Sequence, residues 1–145
     1  MQQRLRSIPP ESLIRVCTIT LGEVEAGHLI NPTTDQDPRN EIERLLNEEL
    51  LGYELEISAS TRFDYAFILS RIWQLHPPGS KKTGTEEHLR RLGVDINDVW
   101  VVAVAREHNL TLVTQDSMSC IREAVGPEVR FECWLEMPTE PTPNS

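Results

Sequence analysis

Residues 98–116 read DVWVVAVAREHNLTLVTQD, and the pattern of this stretch indicates the class of the fold. Its first part is apolar on nearly every side, which predicts a helix over Asp98–His108 that is buried between a sheet and its neighbours. Asn109 is the predicted left-handed end of this helix, and Leu110–Val113 is the next predicted strand. A buried helix that leads directly into a strand is typical of α/β proteins.

The same alternation of strands and helices extends in both directions from this stretch. Leu13–Ile19 is an apolar run that predicts a buried strand, followed by a helix that starts near Thr20. Tyr53–Ile57 alternates apolar and acidic residues, which predicts a strand near the sheet edge. The other predicted elements are a helix that starts at Asp37-Pro38 and ends at Gly52, helices over Phe63–Trp73, Thr85–Leu92 and Ser117–Val125, and a strand over Val129–Trp134.

Strands that alternate with helices predict a three-layer α/β/α sandwich with a mostly parallel central sheet. A chain of 145 residues with 39% hydrophobic residues can bury one core but not two of ordinary size. We therefore expect a single domain over residues 1–136 and a disordered, Pro-rich tail over residues 137–145.

Composition also restricts cellular location and partners. The three cysteines form no disulfide or zinc pattern, and no segment has the features of a signal peptide or a membrane span, so we expect a cytoplasmic protein. The formal net charge of −9 disfavours tight, unaided binding of RNA. A basic group, formed by Lys81, Lys82, Arg90 and Arg91, is interpreted as a solvated surface.

Three acidic residues occupy equivalent places in this pattern. Glu23 follows the first predicted strand, Asp98 starts the apolar helix, and Asp116 follows Leu110–Val113. Ligands bind at the carboxyl ends of the strands in such sheets, so we expect the three carboxylates to meet at one rim. Carboxylates from distant parts of a chain can hold Mg²⁺ or Mn²⁺, which can activate water against a phosphodiester. The alternative is helix capping, because Thr20-x-x-Glu23 is also a capping box and each aspartate precedes or opens a helix.

Other chemistry-bearing residues have structural interpretations. Cys17 is interpreted as a small buried apolar group. Ser60 and Thr61 are interpreted as caps of the helix that follows them. The four histidines have no zinc-site spacing, and the three tryptophans lie in apolar surroundings that indicate core positions.

Three stretches resemble the motifs of PIN domains, most closely the VapC-like toxins of bacterial toxin–antitoxin pairs. They are Ile19-Thr-Leu-Gly-Glu-Val-Glu-Ala-Gly27, Ile96-Asn-Asp-Val-Trp-Val-Val-Ala103 and Leu112-Val-Thr-Gln-Asp116. The resemblance implies that Glu23, Asp98 and Asp116 are catalytic metal ligands for Mg²⁺ or Mn²⁺. It also implies an endoribonuclease acting on RNA, often a homodimer, that a small antitoxin silences.

The sequence departs from the family pattern at its start. PIN domains open with a mid-sheet strand that ends in an aspartate, and this sequence has no acidic residue before Glu11. A late start codon, a decayed gene or a strand donated by another chain would each account for the missing strand. We therefore expect impaired nuclease activity, with a degenerate module that binds antitoxin or dimerises, or a non-functional fragment, as alternatives.

Overall fold

The computed structural model describes residues 12–32, 34, 40, 44, 48, 52–80 and 82–134. Helices with defined bounds in these ranges are α1 (Thr18–Ile30), α2 (Thr61–Leu75), α3 (Thr85–Arg91), α4 (Ile96–Glu107) and α5 (Ser119–Val125). The strands are β1 (Val16–Cys17), β2 (Glu54–Leu55), β3 (Thr111–Val113) and β4 (Arg130–Glu132), and a 3₁₀ turn, Gly126–Glu128, precedes β4.

Some predictions fall on parts of the chain that lie outside the described residues. The helix predicted between Asp37-Pro38 and Gly52 is described only at Asn40, Arg44 and Glu48, which are helical. The predicted tail over residues 137–145 and Lys81 are also outside them. None of the helices in the described part of the chain combines the length and hydrophobicity needed to cross a membrane.

The strands form two separate parallel pairs. β1 pairs with β2 so that Cys17 lies opposite Leu55, and β3 pairs with β4 so that Leu112 lies opposite Phe131. Among the described residues no strand joins the two pairs. The predicted α/β class with parallel strands is confirmed, and a sheet that lacks a strand in its middle would divide in this way.

The core lies where α2, α4 and α5 pack together. Fully buried side chains come from all three helices: Ile68, Ile72, Val99, Val102, Ile121 and Val125. Burying each such side chain contributes roughly 1.5–3 kcal/mol relative to exposing it. Because α4 is apolar around most of its circumference, it contacts α2 on one side and the strands and α1 on others. This packing fixes the start of α4, where Asp98 lies.

The first predicted strand is wrong in extent. β1 contains only Val16–Cys17, and α1 already begins at Thr18. Thr18 and Ile19 are β-branched and suggested a strand, but strand propensity is weak and depends on pairing. The partner strand β2 ends at Leu55, opposite Cys17, so the residues after Cys17 have no β2 residue to pair with. Similarly, α5 begins at Ser119 and not at the predicted Ser117.

The prediction that Ser60 and Thr61 cap the following helix is also wrong. Ser60 has a helical backbone and makes no cap bond with its side chain. The hydroxyl groups of Ser60, Thr61 and Ser58 instead donate to the carboxylate of Glu107 at the end of α4. These bonds, from Ser60 first and then Thr61, hold the pKa of Glu107 below its ordinary value. The hydroxyl groups therefore tie α2 to α4.

Candidate functional site

The helix α4 begins beside the candidate site and is capped by Asp95. The Asp95 carboxylate accepts a hydrogen bond from the backbone N–H of Asn97 at 2.8 Å. Asp98 follows in the first turn, where the helix dipole favours a negative charge, and its side chain is half-buried. Asp95 and not Asp98 caps α4, so the capping alternative does not apply to Asp98.

Glu23 lies on α1 and reaches the start of α4. Its Oε1 accepts a hydrogen bond from Asn97 Nδ2 at 2.9 Å. Because α1 begins at Thr18, Glu23 is in the second turn and does not form the capping box proposed with Thr20. This contact brings together residues that are 74 positions apart in the sequence.

Asp116 lies in the turn after β3, and two contacts fix its backbone. Its N–H donates to Thr114 Oγ1 at 3.1 Å, and its carbonyl oxygen accepts from Arg122 Nη2 at 3.4 Å. The Arg122 guanidinium also lies over the Phe131 ring, 4.4 Å from its centroid. Arg122 therefore connects the turn that carries Asp116 to β4. The N-cap of α5 is Met118, so Asp116 does not cap that helix.

Asp98 and Asp116 line the same cavity, which has a volume of about 250 Å³. The turn at Gly93 and the residues that start α5 complete its wall. Glu23 does not line this cavity and reaches the site through Asn97. The structure therefore brings two of the three predicted acids to one space and places the third beside the same helix start.

The electrostatic environment of Asp98 reflects this arrangement. Burial raises the pKa of Asp98 above its ordinary value of 3.8, and the negative charges of Asp95, Asp116 and Glu23 raise it further. All three neighbours are acidic, so the rim carries a concentrated negative charge. Such a site favours a cation.

The raised pKa of Asp98 gives a prediction for stability. Asp98 is harder to ionise in the folded chain than in the unfolded chain, so its contribution to stability is complete below the ordinary pKa of 3.8. That contribution is lost as the pH rises through the folded pKa. We therefore expect Asp98→Asn to be more stable than the parent at pH 7 without divalent ions, and equally stable below about pH 3.8.

Thermal unfolding of both proteins between pH 3 and pH 8 measures this difference. The control is Glu25→Gln, which removes an exposed carboxylate from α1. It shows whether the gain in stability is specific to Asp98 or follows the loss of any nearby carboxylate. A variant Asp98→Asn that is less stable than the parent at pH 7 would show that the carboxylate stabilises the fold.

The donor chemistry fits a hard divalent cation. Carboxylate oxygens are the ligands that Mg²⁺ and Mn²⁺ take, and Mg²⁺ commonly uses one or two carboxylates and several waters. In the described ranges, however, no three His, Cys, Asp or Glu side chains are gathered closely enough to hold one ion. Asp98 and Asp116, which line one cavity, are the candidate ligands that share a space, and Glu23 is a further candidate.

Sequence reasoning missed two residues of this site. Asn97 holds Glu23, and Arg122 holds the backbone of Asp116. The sequence offers one indication for Asn97, which is a polar residue directly before Asp98 in an otherwise apolar helix. No local pattern indicated Arg122, since its contacts depend on how α5 packs beside β3 and β4.

The other chemistry-bearing residues that the sequence offered are engaged in packing, hydrogen bonds or ion pairs. Cys17 is buried, as predicted. His88 is buried and its Nε2 contacts the carbonyl oxygen of His76 at 2.5 Å. Trp100 stacks on Tyr65 with ring centroids 3.8 Å apart. In the basic group, Arg91 pairs with Glu87 on the surface of α3.

Comparison with known proteins gives one family and two similar structures. Residues 2–124 match the PIN domain family. Among solved structures, the chain resembles FitAB bound to an IR36 DNA fragment, with a TM-score of 0.60 and 16% identity, covering 96% of this chain and 85% of that one. It also resembles FitAcB from Neisseria gonorrhoeae, with a TM-score of 0.58 and 19% identity, covering 90% and 81% of the two chains. No curated protein matches the chain.

Proposed function

This chain belongs to the PIN domain family, and on that premise we propose that it is a divalent-metal-dependent endoribonuclease, the toxin of a toxin–antitoxin pair. The observation that carries the proposal is the cavity shared by Asp98 and Asp116. It lies at the start of α4, where Asn97 also holds Glu23. Nearby carboxylates with concentrated negative charge are what phosphodiester hydrolysis by a bound cation needs.

In this proposal Asp98 and Asp116 hold Mg²⁺ or Mn²⁺, with Glu23 as a third ligand. The cation would supply an activated water and neutralise charge on the phosphate. The chain's own residues keep the carboxylates in position. Asn97 orients Glu23, Arg122 anchors the turn of Asp116, and the Asp95 cap fixes the first turn that carries Asp98.

The negative net charge of the protein is consistent with a requirement for a bound metal ion in RNA cleavage. A protein with a formal charge of −9 repels RNA phosphates, and the acidic rim repels them most strongly. Bound cations would reverse this repulsion at the place where cleavage occurs. We propose RNA as the substrate.

The partners in this proposal rest on the family. An antitoxin that covers the acidic rim and a homodimer are properties that the motif resemblance implies, and the cytoplasmic location is proposed from the cysteine pattern. The likeness to FitAB and FitAcB supports the same fold at identities of 16% and 19%. Together these observations support a toxin-like PIN domain.

Titration with Mn²⁺ tests the metal site directly. We expect the chain to bind Mn²⁺ with millimolar or tighter affinity, and Asp116→Ala to weaken binding by about tenfold or more, because a negative ligand is lost. Isothermal titration calorimetry measures the affinity. The melting temperature should rise with Mn²⁺ concentration for the parent and much less for the variant.

Asp95→Asn is a matched control for this titration. Asparagine caps a helix as well as aspartate does, so the first turn of α4 should persist while one nearby negative charge is removed. Binding should weaken less than in Asp116→Ala, because Asp95 is a neighbouring charge and not a ligand in this proposal. A parent that binds no Mn²⁺ at millimolar concentration would reject the metal-dependent enzyme.

That outcome would favour the alternative function, a degenerate PIN module that binds antitoxin or dimerises. The observation in its favour is the lack of a gathered three-ligand cluster among the described residues. The module predicts a folded chain with a cooperative unfolding transition and no binding of Mn²⁺. It also predicts that Asp98→Asn and the parent interact equally well with a protein partner.

A further inference from the structure

Met118 has a left-handed backbone directly beside the candidate site. Its φ of 43° and ψ of 38° lie in a region that costs an ordinary L-residue free energy and that glycine and asparagine occupy most readily. In the described part of the chain, Asn109 is the other non-glycine residue with a positive φ, and it follows the end of α4. Met118 instead precedes α5, where the usual backbone is extended. The conformation of Met118 therefore has no local explanation.

The start of α5 also departs from the usual capping pattern. Met118 is the N-cap residue of the helix, and its side chain makes no cap bond. Ser117 and Ser119 lie on either side of it and are of a type that caps helices well, yet neither occupies the cap position. Strained positions of this kind persist only where the surrounding contacts impose them, and they are common at functional sites.

The contacts that impose this conformation come from the Met118 side chain and from Arg122. The Met118 side chain packs against the core formed by α2, α4 and α5, whereas Ser117 and Ser119 are exposed. The carbonyl oxygen of Met118 accepts a hydrogen bond from the N–H of Arg122 at 2.8 Å. Arg122 Nη2 in turn donates to the carbonyl oxygen of Asp116. These contacts connect Met118 to the turn that carries Asp116.

A regular start of α5 would use Asp116 differently. If Met118 had a helical backbone, α5 could begin at Ser117, as the sequence pattern predicted, and Asp116 would be its N-cap residue. An N-cap carboxylate accepts a hydrogen bond from the N–H two or three residues later, which here belongs to Met118 or Ser119. That bond would hold the carboxylate against the start of the helix.

The left-handed backbone of Met118 prevents this use of Asp116. Because α5 begins at Ser119 and Met118 is its N-cap residue, Asp116 lies outside the helix. Asp116 and Met118 both line the cavity that also contains Asp98. The carboxylate of Asp116 is therefore available to this cavity and is not occupied by capping.

We propose that Met118 is a positioning residue, which keeps the Asp116 carboxylate in the cavity with Asp98 by denying it the N-cap position of α5. The left-handed backbone is the essential feature, and the packed side chain stabilises it. The inference rests on the proposed metal site, because the position of Asp116 matters for function only if Asp116 holds a cation. The position itself can be tested without metal.

Glycine and alanine at position 118 separate the role of the backbone from that of the side chain. Met118→Gly and Met118→Ala both remove the packed side chain, but glycine adopts the left-handed backbone readily and alanine does not. We expect Met118→Ala to bind Mn²⁺ about fivefold more weakly than Met118→Gly, because less of it has the binding-competent turn. Isothermal titration calorimetry, at a temperature at which circular dichroism shows each variant to be folded, measures the affinities.

Met118→Leu tests whether a conservative variant restores the position. Leucine keeps a large apolar side chain of similar volume, so the contact with the core should persist. Met118→Leu should therefore bind Mn²⁺ more tightly than Met118→Ala. An effect on stability alone would change the melting temperatures of the variants without separating their Mn²⁺ affinities in this order.

Amide hydrogen exchange without divalent ions tests the position of Asp116 directly. In Met118→Ala, where Asp116 can cap the helix, the amide hydrogen of residue 118 or 119 should have a protection factor about fivefold higher than in Met118→Gly. NMR spectroscopy measures these factors residue by residue. The amide hydrogen of Ala124, in the buried part of α5, is the reference for the general stability of that helix.

Two results would overturn the proposal. The first is a parent that binds Mn²⁺ together with equal affinities of Met118→Gly and Met118→Ala. The second is equal protection of residues 118 and 119 in the two variants. If the parent binds no Mn²⁺, the proposed metal site fails, and the exchange data by themselves decide the position of Asp116.

Discussion

Asp98→Asn is expected to reduce Mn²⁺-dependent cleavage of a structured RNA by about a hundredfold or more. Asp98 lines the cavity with Asp116 and is electrostatically coupled to both Asp116 and Glu23. Asparagine preserves the shape of the side chain but removes the negative charge that holds a cation. Initial cleavage rates at a fixed, saturating Mn²⁺ concentration measure the effect.

The matched control for cleavage is Asp95→Asn, which makes the same chemical change three residues earlier. Asp95 caps α4 through the N–H of Asn97, a role that asparagine can fill. Its cleavage rate should fall much less than that of Asp98→Asn, because Asp95 contributes charge near the site and is not a proposed ligand. If the parent cleaves RNA and Asp98→Asn cleaves it at the same rate, Asp98 is not a catalytic residue. A parent with no cleavage, but with Mn²⁺ binding, would separate metal binding from catalysis.

Ile72→Ala is expected to lower the free energy of unfolding by about 2–5 kcal/mol. Ile72 lies on α2, is 0% exposed, and belongs to the core that α2 forms with α4 and α5. Removing its outer carbons leaves a cavity that the packed helices can fill only in part. Urea unfolding followed by circular dichroism measures the change, which should appear as a lower midpoint with an unchanged slope.

The control for this change is Ile30→Ala, the same substitution at the last residue of α1. Ile30 is 75% exposed, so its replacement should change the free energy of unfolding by about 0.5 kcal/mol or less. A similar loss for both variants would mean that the three-helix core contributes less to stability than its burial indicates.

The fold was largely predictable where the hydrophobic pattern is periodic. The helix predicted over Asp98–His108 is observed at Ile96–Glu107, and the one predicted over Phe63–Trp73 is observed at Thr61–Leu75. Asn109 has the predicted left-handed backbone, with φ of 52°. Helical periodicity and cap residues act within a few positions of each other, so a sequence can reveal them.

Predictions were poorer where a residue's role depends on distant partners. The strand predicted over Leu13–Ile19 shortens to Val16–Cys17 because pairing with β2 decides its length. Ser60 and Thr61 bond to Glu107, on another helix, although their position suggested a cap. Hydroxyl groups serve either role, and only packing selects between them.

Local periodicity and short motifs were enough to predict the order of the elements, the α/β class and the candidate acids Glu23, Asp98 and Asp116. The arrangement of these acids depends on packing: two share a cavity, and the third is held by Asn97, 74 residues away. Packing also decides that the strands form two pairs with a slot between them. Such features join segments far apart in the chain, and only the packing of the whole core brings those segments together.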